Sequence, residues 1–336
     1  MKKLGRSGYA ILAGLVAAAV LGMVATGPAD AAEKSSKDRL VVSGGTIGGT
    51  SNLSANAIAA VIFKYCKIPT TITANSTFAQ VSVLQKKEAD ISTAVGYQVY
   101  DAYKGLWKGA PYPDVRILLQ SNMQVYHFVT SKKSPIQNFM DLKGKRVVVG
   151  KKGFFAEDVT KRIHAALGLE YGKFFTPLFL GHSDAAASLV NGTVDAYVVM
   201  SNFPQPQVTE MTESHDCNVL GLGKEIMDRV AGKDPNLAKI TIPAKSYKGM
   251  DKSADTVTAW MLYAADKSLP DDIAYCATKS FFDNLDYAGV HYAELKNYKL
   301  KDIEGFTSAP YHKGALRYFK EKGLKIPEIM IPPEAK

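Results

Sequence analysis

Residues 40–52 read LVVSGGTIGGTSN, and this stretch decides the fold that the chain is expected to adopt. A short apolar run leads into a loop of glycines and hydroxyl-bearing residues, and a helical pattern follows. Glycines let the backbone approach a ligand closely, and the free N–H groups at a helix start attract negative charge. The stretch therefore predicts a strand, a loop and a helix that cradle a small anion.

The residues before this stretch have the pattern of a secretory signal peptide. Basic residues precede an apolar stretch at 9–24, and a small-residue cleavage pattern, ADAA, follows at 29–32. The apolar stretch is shorter than the ~20 residues that a membrane span needs, and an uncleaved anchor is the alternative. We predict a cleaved signal peptide at residues 1–32 and export to the periplasm.

Composition and residue spacing argue against several classes of protein. The chain carries a formal charge of +9 at pH 7 without a basic block or a nucleic-acid motif, so we expect no nucleic-acid partner. Cys66, Cys217 and Cys276 allow either one disulfide beside a free thiol or three buried thiols. The spacing of histidines and cysteines predicts no metal site, and no motif indicates a cofactor.

Strand-like and helix-like segments alternate beyond the leader, which predicts an α/β fold. We expect two lobes, each a mostly parallel sheet flanked by helices, joined by hinge strands. The first part of lobe I is assigned to residues 33–125, lobe II to 126–243, and a C-terminal segment that crosses back to complete lobe I to 244–336. Single elements predicted in this pattern include strands at 91–95, 115–119 and 126–130, a helix at 271–285 and an extended tail at 326–336.

Ligands of open α/β sheets bind beyond the carboxyl ends of the strands, where four predicted loops meet. Hydroxyl and amide groups in the first two loops are typical helix caps, and the same positions favour anions. Aromatic residues in the other two loops, and residues after the strand that ends near Met200, form either a ligand wall or core packing. The candidate ligand-binding residues are Thr46, Gly48, Gly49, Ser51, Asn75, Ser76, Thr77, Tyr97, Phe154, Phe155, Asn202 and Phe203.

One motif imitates a catalytic site. Residues 181–185, GHSDA, approximate the G-x-S-x-G nucleophile elbow of serine hydrolases, but Ala185 replaces the last glycine. Because that glycine normally permits tight packing of strand on helix, we interpret Ser183 as the cap of the following helix. We therefore expect no catalytic residue, and a secreted serine hydrolase that uses Ser183 is the less favoured alternative.

Several motifs, in their order and spacing over nearly the whole mature chain, resemble those of TAXI-type solute receptors. These receptors are the substrate-binding subunits of one class of tripartite ATP-independent periplasmic (TRAP) transporters. The matching motifs are SGGTIGGT at 43–50, LQ at 84–85, EAD at 88–90, YDAYKG at 100–105, DLKGKRV at 141–147, NGTVDA at 191–196 and APYHKGAL at 309–316.

The resemblance implies a type II periplasmic binding protein that closes on an organic anion and docks on a TRAP-type membrane permease. Known ligands of the family are glutamate-like or dicarboxylate-like, and the resemblance assigns ligand contacts to Thr46, Ser51, Asn75 and Ser76. This chain has GFFA at 153–156 and Tyr97 where members usually have small or polar residues, which predicts a flatter or more aromatic ligand. A receptor that serves a sensor kinase or another transporter class is the alternative.

Overall fold

Ten strands form one mixed sheet in the computed structural model, which describes residues 37–45, 47, 49–76, 79–106, 110–234, 236–305 and 308–336. In chain order the strands are β1 (Leu40–Gly44), β2 (Thr70–Ala74), β3 (Ile91–Val95), β4 (Val115–Ser131), β5 (Arg146–Val148), β6 (Thr176–Leu178), β7 (Ala196–Ser201), β8 (Cys217–Leu220), β9 (Ala238–Ile242) and β10 (Ala254–Asp266). Their order across the sheet is β2-β1-β3-β10-β4-β7-β5-β6, with β8 also paired to β4 and β9 to β10. The strands β4 and β10 therefore lie between β1–β3 on one side and β5–β7 on the other.

Helices follow most of the strands in the residue ranges that the structure describes. They are α1 (Thr50–Val61), α2 (Ala79–Gln85), α3 (Gly96–Lys104), α4 (Phe155–Leu167), α5 (His182–Val190), α6 (Pro206–Ser214), α7 (Lys224–Lys233), α8 (Asp271–Asp283), α9 (Leu285–His291) and α10 (Lys313–Glu321). Gly105 and Gly168 end α3 and α4 with φ of 71°, a left-handed conformation that glycine adopts without strain. Within the described ranges, no helix is long and apolar enough to span a bilayer.

We call β4 and β10 the crossing strands, because they run through both lobes. β4 extends over 17 residues and pairs with β10 as far as Val125, then with β7 and β8. The prediction of two separate strands at 115–119 and 126–130 is wrong, because the polar run QSNMQ at 120–124 continues the same strand. A register shift between Trp260 and Leu262 absorbs an extra residue of β4 there, and the strand continues.

The strand directions make the carboxyl ends of the two lobes face each other. β1, β2 and β3 are mutually parallel, and β10 is antiparallel to both β3 and β4. β7 is antiparallel to β4 and parallel to β5, which is parallel to β6. The strands of the two lobes therefore run in opposite directions and end near the middle of the crossing strands. The fold is the two-lobed α/β architecture that the sequence predicts.

Apolar side chains form one cluster in the first lobe and two mainly in the second, and Val95 and Tyr97 of the first lobe pack in one of the latter. One cluster fills the first lobe and unites distant parts of the chain, for example Leu40, Phe281 and Tyr311, all fully buried. The second lobe contains two clusters, one around Phe128 and Phe139 and the other around side chains such as Leu189. Residues after β10, such as Phe281 and Tyr311, thus share this first cluster with residues of β1.

Two other elements differ from the sequence prediction, and one long stretch had no predicted element. The helix predicted at 271–285 is two helices, because Asn284 leaves the helical region with φ of −136°. The tail predicted to be extended forms two 3₁₀ turns, Glu328–Met330 and Pro333–Ala335, and Met330 is buried in the first lobe. The stretch 201–243, which lacks a clear periodic pattern, contains α6, β8, α7 and β9.

The cysteines resolve into one disulfide and one free thiol. Cys66, in the π-helical turn that follows α1, is bonded to Cys276 in α8, 210 residues later. Cys217 is buried and unbonded, and burial raises the pKa of its thiol. The disulfide therefore connects two helical segments of the first lobe, and this decides between the two arrangements that the sequence left open.

Candidate functional site

A cavity of about 190 Å³ lies against the crossing strands, between the two lobes. Side chains on β4 and β10 line it together with residues that follow β7. The segment after α9, which belongs to the first lobe, supplies the opposite side. The lining residues are Ser121, Asn122, Met123, Val125, Asn202, Phe203, Ile240, Trp260, Glu294, Asn297, Tyr298 and Asp302. Because both lobes contribute, any movement between them changes the shape of the cavity.

Asn202 is the centre of a hydrogen-bond network at this cavity. Its Oδ1 accepts hydrogen bonds from Asn122 Nδ2 at 2.5 Å and from Gln124 Nε2 at 2.6 Å. Its Nδ2 donates to Tyr292 Oη at 2.5 Å. Burial raises the pKa of Tyr292 to about 12, and the charge of Glu294 acts in the same direction, so the phenol stays neutral. Through Asn202 the second lobe is thus bonded to a crossing strand and to the first lobe.

Aromatic rings form one wall of the cavity. The ring centroids of Trp260 and Tyr298 are 6.4 Å apart, in an edge-to-face arrangement, and Phe203 lies after β7 on the same cavity. Tyr298 Oη donates to Gln120 Oε1 at 3.1 Å. Gln120 Nε2 is buried and has no partner in the described part of the chain. The wall is therefore apolar at its surface and polar directly behind Tyr298.

The glycine loop and the start of α1 connect to the same crossing strand. Gly49 is the N-cap residue of α1, and Ser51 is half-buried in its first turn. Ser54, one turn later, lies with its Oγ 3.0 Å from Ser121 Oγ in the cavity wall. Two predicted ligand residues of this loop, Thr46 and Gly48, lie outside the described residues.

The loop after β2 lies against the glycine loop. Asn75 Nδ2 donates to Ser43 Oγ at 2.9 Å, and Asn75 N donates to Gly44 O at 3.0 Å. Ser76 is exposed, and Thr77 lies outside the described residues. The structure thus brings Asn75 to the end of β1, although neither Asn75 nor Ser76 lines the cavity.

The predicted aromatic ligand wall of the second lobe contacts the first lobe. Phe155 is the first residue of α4, Phe154 is its N-cap residue, and the Phe155 ring centroid is 5.9 Å from that of Tyr97. Tyr97 is fully buried in α3, and the Arg162 guanidinium lies 4.0 Å from its ring centroid. None of the three aromatic residues lines the cavity, in contrast to Asn202 and Phe203.

Arg162 joins α4 of the second lobe to α3 of the first. It pairs with Asp101 on α3, with Asp234 at 2.6 Å and, more weakly, with Asp158 at 3.4 Å. We call these four side chains the Arg162 cluster. Burial raises the pKa of Asp101, although the charge of Arg162 opposes that shift. Asp101 is the only member of the cluster that comes from the first lobe.

The starts of α1, α3, α4 and α5 differ in a way that affects anions. Helices α1 and α3 of the first lobe have no acidic residue in the first turn and no capping side chain among the described residues. In contrast, α4 begins with Glu157 and Asp158, and α5 carries Asp184. The partial positive charge at the starts of α1 and α3 is therefore not neutralised by their own side chains.

Basic residues of the second lobe follow β5, at the edge that faces the first lobe. Lys151 and Lys152 are exposed in the loop before α4, and Lys152 Nζ lies 5.9 Å from the Phe179 ring centroid. Burial lowers the pKa of His182, and the charge of Lys151 adds to this effect. These lysines, like Asn122 and the residues after α9, were not among the predicted site residues.

The Ser183 motif differs from the predicted arrangement. The N-cap of α5 is Gly181, so Ser183 is an exposed residue of the first helical turn and not the cap. The neighbouring His182 has its Nδ1 2.6 Å from Tyr197 Oη. Across the residues that the structure covers, no histidine binds the Ser183 hydroxyl, and no cluster of histidine, cysteine or acidic groups could hold a metal ion.

Comparison with known proteins finds similar chains among binding proteins. The periplasmic aliphatic sulphonate binding protein SsuA from Escherichia coli is 15% identical, with a TM-score of 0.47 over 88% of this chain and 91% of that chain. A TctC solute binding protein from Polaromonas is 14% identical, with a TM-score of 0.48 over 77% and 86%. The sequence profile of the NMT1-like family matches residues 42–323, most of the chain. The chain therefore belongs to the NMT1-like family.

Proposed function

We propose that this chain is a periplasmic solute-binding protein that captures a small organic anion and delivers it to a TRAP-type membrane permease. The observation that carries the proposal is the cavity at the crossing strands, which is lined from both lobes. A solute that contacts both lobes stabilises the closed form over the open form, and a permease can recognise that difference. The N-terminal residues 1–32 would serve as the export signal.

An acidic group is best accommodated on the side of the first lobe. The starts of α1 and α3 present unneutralised partial positive charge, which is worth roughly 0.3 to 1 kcal/mol per helix for a nearby anion. Lys151 and Lys152 stand at the opposing edge of the second lobe. Carboxylates or dicarboxylates, including aromatic ones, are therefore the proposed ligands, and sulfonates enter the test because SsuA is named for them.

Native mass spectrometry of the freshly purified protein tests the proposal most directly. We expect a retained compound of low mass that carries at least one acidic group. A thermal-shift panel of carboxylates, dicarboxylates, sulfonates and amino acids then ranks the ligand classes. Stabilisation by none of these compounds, together with the absence of a retained compound, would contradict the proposal.

Asn75 provides a variant test of the acidic subsite. Asn75→Ala should weaken binding of the retained compound by about 1 to 3 kcal/mol, because a polar partner is lost near the glycine loop. Ser43→Ala separates two explanations, since it removes only the internal partner of Asn75. Equal losses in both variants mean that Asn75 fixes the loop, whereas unchanged affinity in Asn75→Ala removes the residue from the site.

The alternatives predict different partners. A receptor for a sensor kinase or another transporter class would bind a similar solute but fail to support uptake through a TRAP permease in reconstituted vesicles. A serine hydrolase would be labelled by a fluorophosphonate probe, and Ser183→Ala would abolish the labelling. The neighbours named above are binding proteins, which favours the transport proposal over the hydrolase.

A further inference from the structure

The ionisable side chains that line the cavity are all acidic. They are Glu294 and Asp302, and the remaining lining residues carry amides, hydroxyls, a thioether, aromatic rings or aliphatic groups. No lysine, arginine or histidine lines the cavity in the described part of the chain. An acidic group that entered it would meet two like charges without a compensating cation, so the acid end of a solute belongs elsewhere.

Glu294 is available to a ligand. Its half-buried carboxylate has no ion-pair or hydrogen-bond partner among the described residues, whereas Asp302 accepts a hydrogen bond from Lys299 N at 3.1 Å. The effect of Glu294 on the pKa of Tyr292 shows that its charge acts on the Asn202 network. An unpaired carboxylate beside this cavity favours a cationic partner.

The amide groups of Asn122 and Asn202 in the cavity wall are already engaged. Asn122 and Gln124 donate to Asn202, and Asn202 donates to Tyr292, all at 2.5 to 2.6 Å. An incoming carboxylate would have to compete with these short hydrogen bonds for donors. The Glu294 carboxylate has no such hydrogen bond within the described ranges, so a cation can bind it without displacing an existing partner.

The aromatic wall favours a flat group of positive charge. The ring faces of tryptophan and tyrosine attract cations, and guanidinium groups also stack on them. Trp260, Tyr298 and Phe203 all line the cavity. Its volume of about 190 Å³ is below the roughly 300–1,000 Å³ of common ligand pockets, which suits a small planar group.

We propose that this cavity holds a planar cationic group, such as a guanidinium, an amidinium or a protonated aromatic amine. The solute then carries a positive end against Glu294 and the aromatic wall, and an acidic end toward the starts of α1 and α3. The inference rests on the proposed function, since it assigns the second end of the same solute. It also narrows the predicted aromatic ligand to one whose two ends differ in charge.

A matched series of para-substituted benzoates tests the inference by calorimetric titration. The series is 4-guanidinobenzoate, 4-methylbenzoate and terephthalate, in which the far end is cationic, neutral or anionic. We expect 4-guanidinobenzoate to bind about tenfold more tightly than 4-methylbenzoate, and terephthalate to bind most weakly. Terephthalate binding as tightly as 4-guanidinobenzoate would overturn the inference while leaving an anion receptor in place.

Benzamidine, which has the cation but no acid, separates this inference from the proposed function. Benzamidine binding without any benzoate binding would support the cationic cavity and contradict the anion receptor. Binding of neither benzamidine nor any of the benzoates would contradict both. The two proposals therefore fail in distinguishable ways.

Glu294→Gln supplies the variant test, because it removes the charge and keeps the shape. We expect the affinity for 4-guanidinobenzoate to fall by about threefold to tenfold and that for terephthalate to stay equal or rise. Glu210→Gln, an exposed charge on α6 away from the cavity, is the matched control and should change neither affinity. Equal losses for both ligands in Glu294→Gln, or no loss for the cationic ligand, would refute the proposed role of Glu294.

Discussion

At the scale of single residues, Asn202 carries the most connections of the site. Its side-chain oxygen accepts hydrogen bonds from Asn122 and Gln124 of β4. Its side-chain nitrogen donates to Tyr292 in the segment after α9. Asn202 was predicted as a ligand residue from its place after a strand. The sequence could not reveal its partner Tyr292, because the two residues are 90 positions apart.

Asn202→Ala should weaken solute binding and lower the stability of the protein. The substitution removes three hydrogen bonds and leaves Asn122, Gln124 and Tyr292 without this partner, which costs about 1 to 3 kcal/mol. Urea denaturation and calorimetric titration measure the two effects. Asn191→Ala, at an exposed position after α5, is the control. Wild-type stability and affinity in Asn202→Ala would show that the network is dispensable.

His127 makes the stability depend on pH. It is fully buried, with Nε2 2.8 Å from Tyr247 Oη, and burial lowers its pKa to about 4. Below pH 6.5 the unfolded chain takes up a proton that the folded protein refuses, so the free energy of unfolding falls until about pH 4. The loss reaches about 3 kcal/mol.

The slope of stability against pH tests this assignment. His127→Gln should flatten the slope of the free energy of unfolding between pH 6.5 and pH 4, whatever its effect at pH 7. His291→Gln, at an exposed position, should leave the slope unchanged. Burial also lowers the pKa of His164 and His312, so a smaller slope of the same sign should remain. A slope as steep as that of the wild type would rule out His127 as its main source.

At the scale of elements, α3 and α4 hold the lobes together through the Arg162 cluster. Asp101 lies on α3, so its pairing with Arg162 is a contact between the lobes. Asp158 lies on α4 together with Arg162, so its pairing is a contact within one helix. Asp101→Asn should therefore shift the protein toward a more open form, whereas Asp158→Asn should not.

Small-angle scattering and ligand release kinetics measure this shift. For Asp101→Asn we expect a larger radius of gyration without solute and a dissociation rate several-fold faster than that of the wild type. A single charge pair of this exposure contributes about 1 kcal/mol, which corresponds to such a change. If Asp158→Asn had the same effect as Asp101→Asn, the contact between α3 and α4 would not be what keeps the lobes together.

The sequence predicted single helices and strands better than it predicted how these elements continue and pack together. β3 was predicted at its observed bounds, since an apolar run between polar loops indicates a buried strand. β4 was predicted as two strands, and the polar run QSNMQ that joins them faces the cavity and the partner strand β10. That polar run inside an apolar strand was the available signal for the site. The pairing of Arg162 with Asp101 left no such signal, because it depends on how the lobes pack.

At the scale of the whole molecule, the disulfide closes a long loop of chain. Cys66 and Cys276 join two helical segments of the first lobe, and the residues between them include the entire second lobe. The alternating pattern of the sequence predicted the two lobes. It could not select the bonded pair of cysteines, because both partners sit in helices whose contact is set by the tertiary fold.

Breaking this disulfide should lower the free energy of unfolding by about 2 to 5 kcal/mol, since the unfolded chain gains conformational freedom. Urea denaturation of the Cys66→Ser, Cys276→Ser double variant measures the loss. The double variant should be insensitive to a thiol reductant, whereas the wild type should lose stability when the reductant is added. A wild type whose unfolding midpoint ignores the reductant would show that the bond contributes little.

The two crossing strands also limit how the lobes can travel. β4 and β10 lie side by side and are hydrogen-bonded from Val125 and Thr258 to Val115 and Asp266. Such a ribbon bends easily, but it strongly resists stretching or sliding along its length. The lobes should therefore open and shut along essentially one coordinate. A single pair of fluorescent dyes, one on each lobe, would then be enough to follow the complete cycle of a single molecule in real time.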